Sequence, residues 1–280
     1  MNIALFAYNF PHKKTQDFLF RLVNFGFKPR VVIASPPLEI NLPKSYLRDK
    51  YRHFDLILPQ ELCNILGIEY IERFHNDKEV SVILKSMNIE LGIIAGARIL
   101  KKHIIESVPL GIVNFHPGLL PENRGLNAVK WAIFLDIPQG MTVHLIDPRV
   151  DAGKIIKKFI VPTYIDDSLI EINLRIYESQ LKTLIPVISS FIDTGAQNYY
   201  TIPYDLNLKH HPPADERIDE FIKSNFDLYK QRWGYDKNGW VCICGNKLMQ
   251  DERNENMFFC PTCNKWYKES EGLLEFKIQI

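Results

Sequence analysis

Short runs of apolar, often β-branched residues alternate with segments whose apolar positions recur at helical spacing, and this alternation governs most of the first 195 positions. Ile3–Tyr8 reads as a buried strand. Thr15–Phe25 carries Phe18, Leu19, Leu22, Val23 and Phe25 in helical register and is closed by Gly26, so it reads as a helix. Arg30–Ala34 is the second predicted strand, and the Pro-rich, polar stretch Ser35–Tyr51 is a predicted loop that could border a substrate. Leu56–Leu58 is a short strand candidate. Pro59–Leu66 begins on Pro and stops at Gly67, as short helices do. Asp77–Met87 reads as a helix, Leu91–Ala95 as a buried strand, Lys101–Ser107 as a helix and Gly111–Val113 as another strand. A helical segment at Asn127–Leu135 follows, then strands at Gly140–Asp147 and Lys154–Val161, then a long helix at Ser168–Phe191 with Pro186 inside it. Alternation of this kind predicts an α/β architecture with a mostly parallel sheet covered on both faces.

The chemistry gathers where one strand runs out. Asn114 and His116 straddle Phe115, so on an extended backbone they point to the same side. A loop punctuated by Pro and Gly follows, and open α/β sheets place their sites in front of such strand ends. Asn-x-His by itself is equally a capped strand end with a hydrogen-bonded histidine. Two later blocks add to it: Gly140-Met141-Thr142-Val143-His144 and Val150-Asp151-Ala152-Gly153, the second offering a carboxylate in a tight turn. Together these residues supply a proton carrier, a neutral donor and an anion to orient them. His144 reads as a structural, hydrogen-bonded histidine.

Asn114-x-His116-Pro117-x-Leu119-Leu120-Pro121-x-x-Arg124-Gly125, with Gly140-x-Thr142-Val143-His144 and Val150-Asp151-x-Gly153, resembles the signature of the 10-formyltetrahydrofolate-dependent formyltransferases. The resemblance spans roughly residues 1–195 and implies their Rossmann-like fold. It implies N10-formyltetrahydrofolate as cosubstrate and a primary amine as acceptor. The catalytic Asn, His and Asp of that family fall on Asn114, His116 and Asp151. The folate pocket falls on Arg98, Ile99, Leu100, Leu119, Asp147 and Val150. Asn9, Lys13 and Arg124 are candidate substrate contacts. After the first strand stands Tyr8-Asn9-Phe10-Pro11-His12-Lys13-Lys14, where the glycinamide ribonucleotide enzymes of the family carry a Gly- and Asn-rich phosphate loop, and this departure counts against a purine precursor. The loop Leu120–Gly125 and the run His210–Asp219 resemble the methionyl-tRNA enzymes, but the basic barrel those enzymes need has no counterpart here. The sugar enzymes of the family vary in their C-terminal appendages, so elimination leaves a nucleotide-linked 4-amino-4,6-dideoxy sugar as the expected acceptor. Methionyl-tRNA and glycinamide ribonucleotide remain alternatives, as does a non-catalytic, formyltransferase-like binding module. A formyltetrahydrofolate hydrolase would use the same triad with water.

The last third is a different kind of sequence. Residues 196–239 form a Pro-containing connector with one amphipathic helix, Asp215–Phe226, whose Ile218, Phe221, Ile222 and Phe226 share a face. In 240–280 the pairs Cys242-x-Cys244 and Cys260-x-x-Cys263 have the spacing of a four-thiolate zinc ribbon. Gly245 and Asn264, one after each pair, tolerate the left-handed backbone that a metal knuckle needs. Disulfides and reduced structural thiols are the rival readings. A closed four-Cys site offers no open coordination position, so a structural zinc is expected. Cys63 stands alone as a small buried hydrophobe.

Charge narrows the partners. The net charge is +1 over 280 residues, and from Lys209 to Ile280 there are 11 Lys and Arg against 12 Asp and Glu. Phosphate-backbone binding rests on an excess of cations that this region lacks, so a nucleic-acid partner is not expected. No long apolar run predicts a membrane span, and the start of the chain lacks the marks of a secretion signal. A cytoplasmic location follows, with assembly as a homodimer left open.

Overall fold

In the computed structural model the described residues are 1–39, 41–148, 151, 153–194, 200–201 and 210–277. Strand and helix alternate through β1 (Ile3–Tyr8), α1 (Lys13–Asn24), β2 (Val31–Ser35), α2 (Pro59–Leu66), β3 (Glu69–Glu72), α3 (Lys78–Ser86), β4 (Leu91–Ile94), α4 (Lys102–Ile105) and β5 (Ile112–His116). There follow α5 (Ala128–Phe134), β6 (Gly140–Leu145), β7 (Lys154–Ile160), α6 (Leu169–Thr194), β8 (Tyr200–Thr201), α7 (Glu216–Trp233), α8 (Tyr235–Asn238) and the hairpin strands β9 (Met249–Asp251), β10 (Asn254–Phe259), β11 (Trp266–Ser270) and β12 (Leu273–Lys277).

One sheet runs through the chain in the order β3-β2-β1-β4-β5-β6-β7-β12-β11-β10-β9, with β8 added to β7. The pairs from β3 to β5 are parallel, which is the α/β half expected from the alternation. From β5 onward every pair is antiparallel. Strand order reverses at β1, which lies between β2 and β4, and such a switch point opens a crevice at the strands' carboxyl ends. Side-chain alternation in β1 divides the core. Ile3, Leu5 and Ala7 pack with α1, α2, α5, α6 and α7, while Ala4 and Phe6 pack with α3 and α4 on the other face. Burial on both faces is why these strands read as unbroken apolar runs.

Local signals set the helix ends. Pro59 opens α2 and Gly67 closes it at φ 62°, a backbone that a β-carbon disfavours. Ser168 and Glu171 exchange hydrogen bonds ahead of α6, the reciprocal arrangement of a capping box. Asp215 accepts from the backbone of Arg217 and Ile218 and so starts α7.

Two sequence expectations are corrected. Leu56–Leu58 is not a strand but the approach to α2. The Ile57 N–H donates to Gln16 Oε1 at 2.9 Å, so the apolar run is spent on packing rather than on a ladder. The third edge strand is instead Glu69–Glu72, whose exposed, charged ends hid it. The amphipathic helix of the connector also runs further than its apolar pattern, to Trp233. The C-terminal strands have a small core of their own, built on Trp240, Cys242, Leu248, Cys260, Tyr267 and Leu274 with Ile160 of β7. They join the α/β sheet edge to edge, β12 on β7.

Candidate active site

The site is built on the end of β5 and the loop that leaves it. Antiparallel pairing with β6 sets Asn114 opposite His144 and His116 opposite Thr142. His144 is fully buried. Its Nδ1 lies 3.3 Å from the Leu145 carbonyl, which can only accept, so Nδ1 carries the proton. Nε2 is left with a lone pair, to which an Asn114 amide N–H donates at 3.2 Å. Burial, as the largest influence, pulls the His144 pKa down to about 4, and the imidazole is therefore neutral at pH 7. It fixes the Asn114 carboxamide and leaves that amide's second N–H to point elsewhere.

His116 is fixed by a similar device. Its Nε2 is 2.7 Å from the Asn123 carbonyl, so this nitrogen donates, and Nδ1 faces Asp151 Oδ1 at 3.6 Å. That gap is longer than a hydrogen bond, and a closer acceptor could take the Nδ1 direction. The loop folds back on itself because Gly118 has no side chain. A β-carbon there would stand 2.8 Å from the Asn123 oxygen and 3.0 Å from His116 Nε2. Thr142 Oγ1 donates to the Gly118 carbonyl at 2.8 Å and accepts from the Leu120 N–H at 3.0 Å. His211 clamps the far end: its N–H donates to the Arg124 carbonyl at 2.9 Å, and its ring stacks on Trp131 with centroids 4.4 Å apart.

Asp151 arrives from the turn between β6 and β7. It has φ 49°, and Gly153 lies so close to the chain that a β-carbon would fall 1.6 Å from the Leu145 oxygen. The carboxylate accepts from the Gly125 N–H at 3.0 Å and stands 3.8 Å from His144 Nε2. Burial pushes the Asp151 pKa up, but the neighbouring His116 ring and the Gly125 N–H outweigh it, and the net displacement is downward. Asn114, His116 and Asp151 thus converge, with a neutral imidazole between the amide and the carboxylate. The site holds a fixed amide donor, a histidine able to carry charge, and an anion able to take a proton.

The remaining sequence candidates are placed as follows. Ile99 is exposed and Leu100 buried, and the Ile99 carbonyl accepts from Asn76 Nδ2 at 2.9 Å while Asn76 Oδ1 accepts from the Lys101 N–H at 2.7 Å. Asn76 holds this turn from a separate loop, and no local pattern in the sequence marked it. Arg98 is near enough to Tyr8 to act on it electrostatically. Leu119 is buried, against Gly140, and Asp147 follows the end of β6. Val150 lies outside the described residues. The Asn9 N–H donates to the Ser35 carbonyl at 3.0 Å. Lys13 pairs with Asp17, and Arg124 is buried in the loop after β5. Lys14, its neighbour in α1, reaches the Phe115 carbonyl at 3.2 Å, and burial lowers its pKa to about 7.

Far from this cluster, the sulfurs of Cys242, Cys244, Cys260 and Cys263 lie within 4.8 Å of one another. Cys242 and Cys263 approach to 3.4 Å and Cys244 and Cys260 to 3.5 Å, far beyond a disulfide bond and near the spacing of thiolates around one tetrahedral ion. Gly245 at φ 86° and Asn264 at φ 56° turn the two knuckles. The Tyr267 hydroxyl lies 2.9 Å from Cys242 Sγ, to which it donates once that sulfur is a thiolate, and Asn246 Nδ2 donates to Cys244 Sγ at 3.4 Å. An all-sulfur donor set with hydrogen bonds aimed at the sulfurs fits zinc.

Known proteins resemble this chain in sequence and in fold. The family model for formyl transferase matches residues 44–188. A methionyl-tRNA formyltransferase of Trichodesmium erythraeum is 26% identical over 56% of this chain and 47% of its own length. A phosphoribosylglycinamide formyltransferase of Haemophilus influenzae is 33% identical over 42% of this chain and 56% of its own. The chain therefore spans about half the length of these curated relatives. Among solved structures, the phosphoribosylglycinamide formyltransferase of Streptococcus pneumoniae covers 68% of this chain and 98% of its own, with TM-score 0.52 and 23% identity. A sugar N-formyltransferase from Shewanella covers 90% of this chain and 94% of its own, with TM-score 0.53 and 20% identity. The N-formyltransferase of Helicobacter canadensis, solved with folinic acid and dTDP-3-aminofucose, covers 99% and 98%, with TM-score 0.55 and 16% identity. At these identities the structures speak to the fold.

Proposed function

The chain belongs to the formyl transferase family, and from that premise we propose that it moves the formyl group of N10-formyltetrahydrofolate to the primary amine of a nucleotide-linked amino sugar. The observation that carries formyl transfer is the convergence of Asn114, His116 and Asp151 at the end of β5. The amine attacks the formyl carbon, a C–N bond forms, and negative charge gathers on the carbonyl oxygen. The second N–H of Asn114 and, with the ring doubly protonated, the Nδ1–H of His116 are the donors for that oxygen, and preorganised donors lower such barriers by about 3 kcal/mol each. Asp151, ionised through its partners, takes the proton lost by the amine, directly or through a water. The bond to N10 then breaks and the folate leaves as tetrahydrofolate, N10 recovering a proton.

The acceptor class is supported by coverage. The sugar enzymes from Shewanella and Helicobacter canadensis extend over 90% and 99% of this chain, whereas the Streptococcus pneumoniae enzyme extends over 68%. Of the amino sugars, a 4-amino-4,6-dideoxy sugar remains the preferred acceptor. The names of the curated relatives favour a second reading, with methionyl-tRNA or glycinamide ribonucleotide as acceptor. In the first reading residues 1–195 carry catalysis, with Arg98, Ile99, Leu100, Leu119, Asp147 and Val150 lining the folate and Asn9, Lys13 and Arg124 the acceptor. Residues 196–239 connect, and 240–280 form the ribbon. Bound zinc would cross-link the two knuckles through Cys242, Cys244, Cys260 and Cys263 and take no part in transfer. Among the described residues no helix is long and apolar enough to cross a membrane.

The test is tetrahydrofolate release with a panel of amines. Turnover with a dTDP- or UDP-linked 4-amino sugar, and none with glycinamide ribonucleotide or methionyl-tRNA, is expected. Turnover with either of the latter alone would replace the acceptor, and none with any amine would remove the activity.

A further inference from the structure

A single row of side chains joins the ribbon to the catalytic loop. His116 stands opposite Thr142, Thr142 opposite Lys158, and Tyr267 opposite Phe276. The register that pairs Leu274 with Ile160 and Glu275 with Phe159 continues so as to bring Phe276 beside Lys158. The Lys158 Nζ indeed lies 4.8 Å from the centre of the Phe276 ring. Directly opposed residues share a face of the sheet, so the row runs on one face from His116 to Tyr267. The Tyr267 and Phe276 rings meet at 4.8 Å.

Lys158 is 6% exposed, and its ammonium is 2.8 Å from Glu122 Oε2. A buried ammonium is costly unless it is paired, and the transfer chemistry makes no use of this one. Its partner sits in the catalytic loop, directly before Asn123, whose carbonyl holds His116 Nε2 at 2.7 Å. Phe276 covers Lys158 from the ribbon side and limits where the ammonium can point.

We propose that Lys158 and Glu122 are positioning residues, a pair braced by Phe276 that holds the loop so that the Asn123 carbonyl keeps His116 in its working orientation. This rests on the formyl-transfer reading for its kinetic consequence but not for its structural one, and the test separates the two. In the full-length protein, Lys158→Met is compared with Lys158→Arg and with Lys157→Met. Lys157 pairs with Glu275 across the same two strands at 3.3 Å and serves as the control.

Two quantities are read: kcat and KM for formyl transfer, and the NMR signals of the His116 ring nitrogens without substrate. Lys158→Met should lower kcat on the order of tenfold to a hundredfold with KM for folate little changed, as a misplaced catalytic group does. Its His116 Nε2–H signal, set by the bond to the Asn123 carbonyl, should shift or broaden, and Lys158→Arg should restore both quantities in large part. Lys157→Met should match wild type. Glu122→Gln, on the exposed side of the pair, gives the same reading if Lys158→Met fails to fold. A wild-type His116 spectrum in the folded Lys158→Met or Glu122→Gln protein overturns the proposal, even if no amine is ever formylated. A changed spectrum in a protein with no transferase activity sustains the positioning role and removes only the reaction.

Discussion

Two loops leave the carboxyl edge of the parallel strands, one after β5 and one after β2, and they are held in opposite ways. The first, residues 117–125, buries Leu119, Leu120, Asn123 and Arg124 and is tied along its length by Thr142, Asp151, Lys158 and His211. The second, residues 36–58, exposes Leu38, Leu42, Tyr46, Tyr51 and Phe54, the last at 84%. Its long-range hydrogen bonds gather at Ser45–Leu47 and at Ile57. The tight loop packs around Asn114, His116 and Asp151, the groups proposed to react, which gain from being preorganised. The open one displays aromatic and apolar side chains beside the same edge, the material from which a variable binding surface is made.

At Ser45–Leu47 the open loop is held by a buried ion pair. Lys130 and Asp219 are 1% and 0% exposed in their side chains and 2.7 Å apart. The ammonium also donates to Ser45 Oγ and the Leu47 carbonyl, and the carboxylate accepts from the backbone of Tyr46 and Leu47. Burial pushes the Asp219 pKa up, and these hydrogen bonds more than offset it, so it lies below the usual range. Lys130→Met leaves a buried carboxylate without its cation. It is expected to cost about 4 kcal/mol in urea unfolding and to expose residues 36–58 to proteolysis. A loss below about 1 kcal/mol would mean that the loop is held by something else.

A smaller effect tests the ground under the tight loop. His144 is buried neutral, with its pKa lowered to about 4, while the unfolded chain takes up that proton near pH 6.5. Stability is therefore complete above about pH 6.5 and is lost as pH falls toward 4, by about 3 kcal/mol for this one residue. His12, near the open loop, is lowered to about 4 as well, first by burial and then by Lys14, Lys50 and His53. The part due to those charges should shrink in salt, whereas the His144 part should not. Unfolding curves of wild type and His144→Gln from pH 7 to 4, at low and high ionic strength, check this. An unchanged acid slope in His144→Gln would contradict it.

The difference between the loops also marks what could be read from the chain. The strand end before the tight loop is local, so Asn114 and His116 stood out as candidates, Asp151 joined them through the resemblance of three separate motif blocks, and the two cysteine pairs stood out with Gly245 and Asn264 behind them. The pairing of Lys130 with Asp219 joins residues 89 positions apart, and neither has a local signal. The same holds for Asn76 and for the row from Lys158 to Phe276. β3 was hidden because an edge strand with exposed glutamates at both ends carries no apolar run. The merging of β12 with β7 depends on two edges meeting in space, which no periodicity encodes.

The most direct measurement is single-turnover formyl transfer by His116→Ala and Asp151→Asn, with folding checked by circular dichroism and melting temperature. Both variants are expected to fold and to transfer at least about a hundredfold more slowly than wild type. Near wild-type rates in both would contradict the assignment of the site.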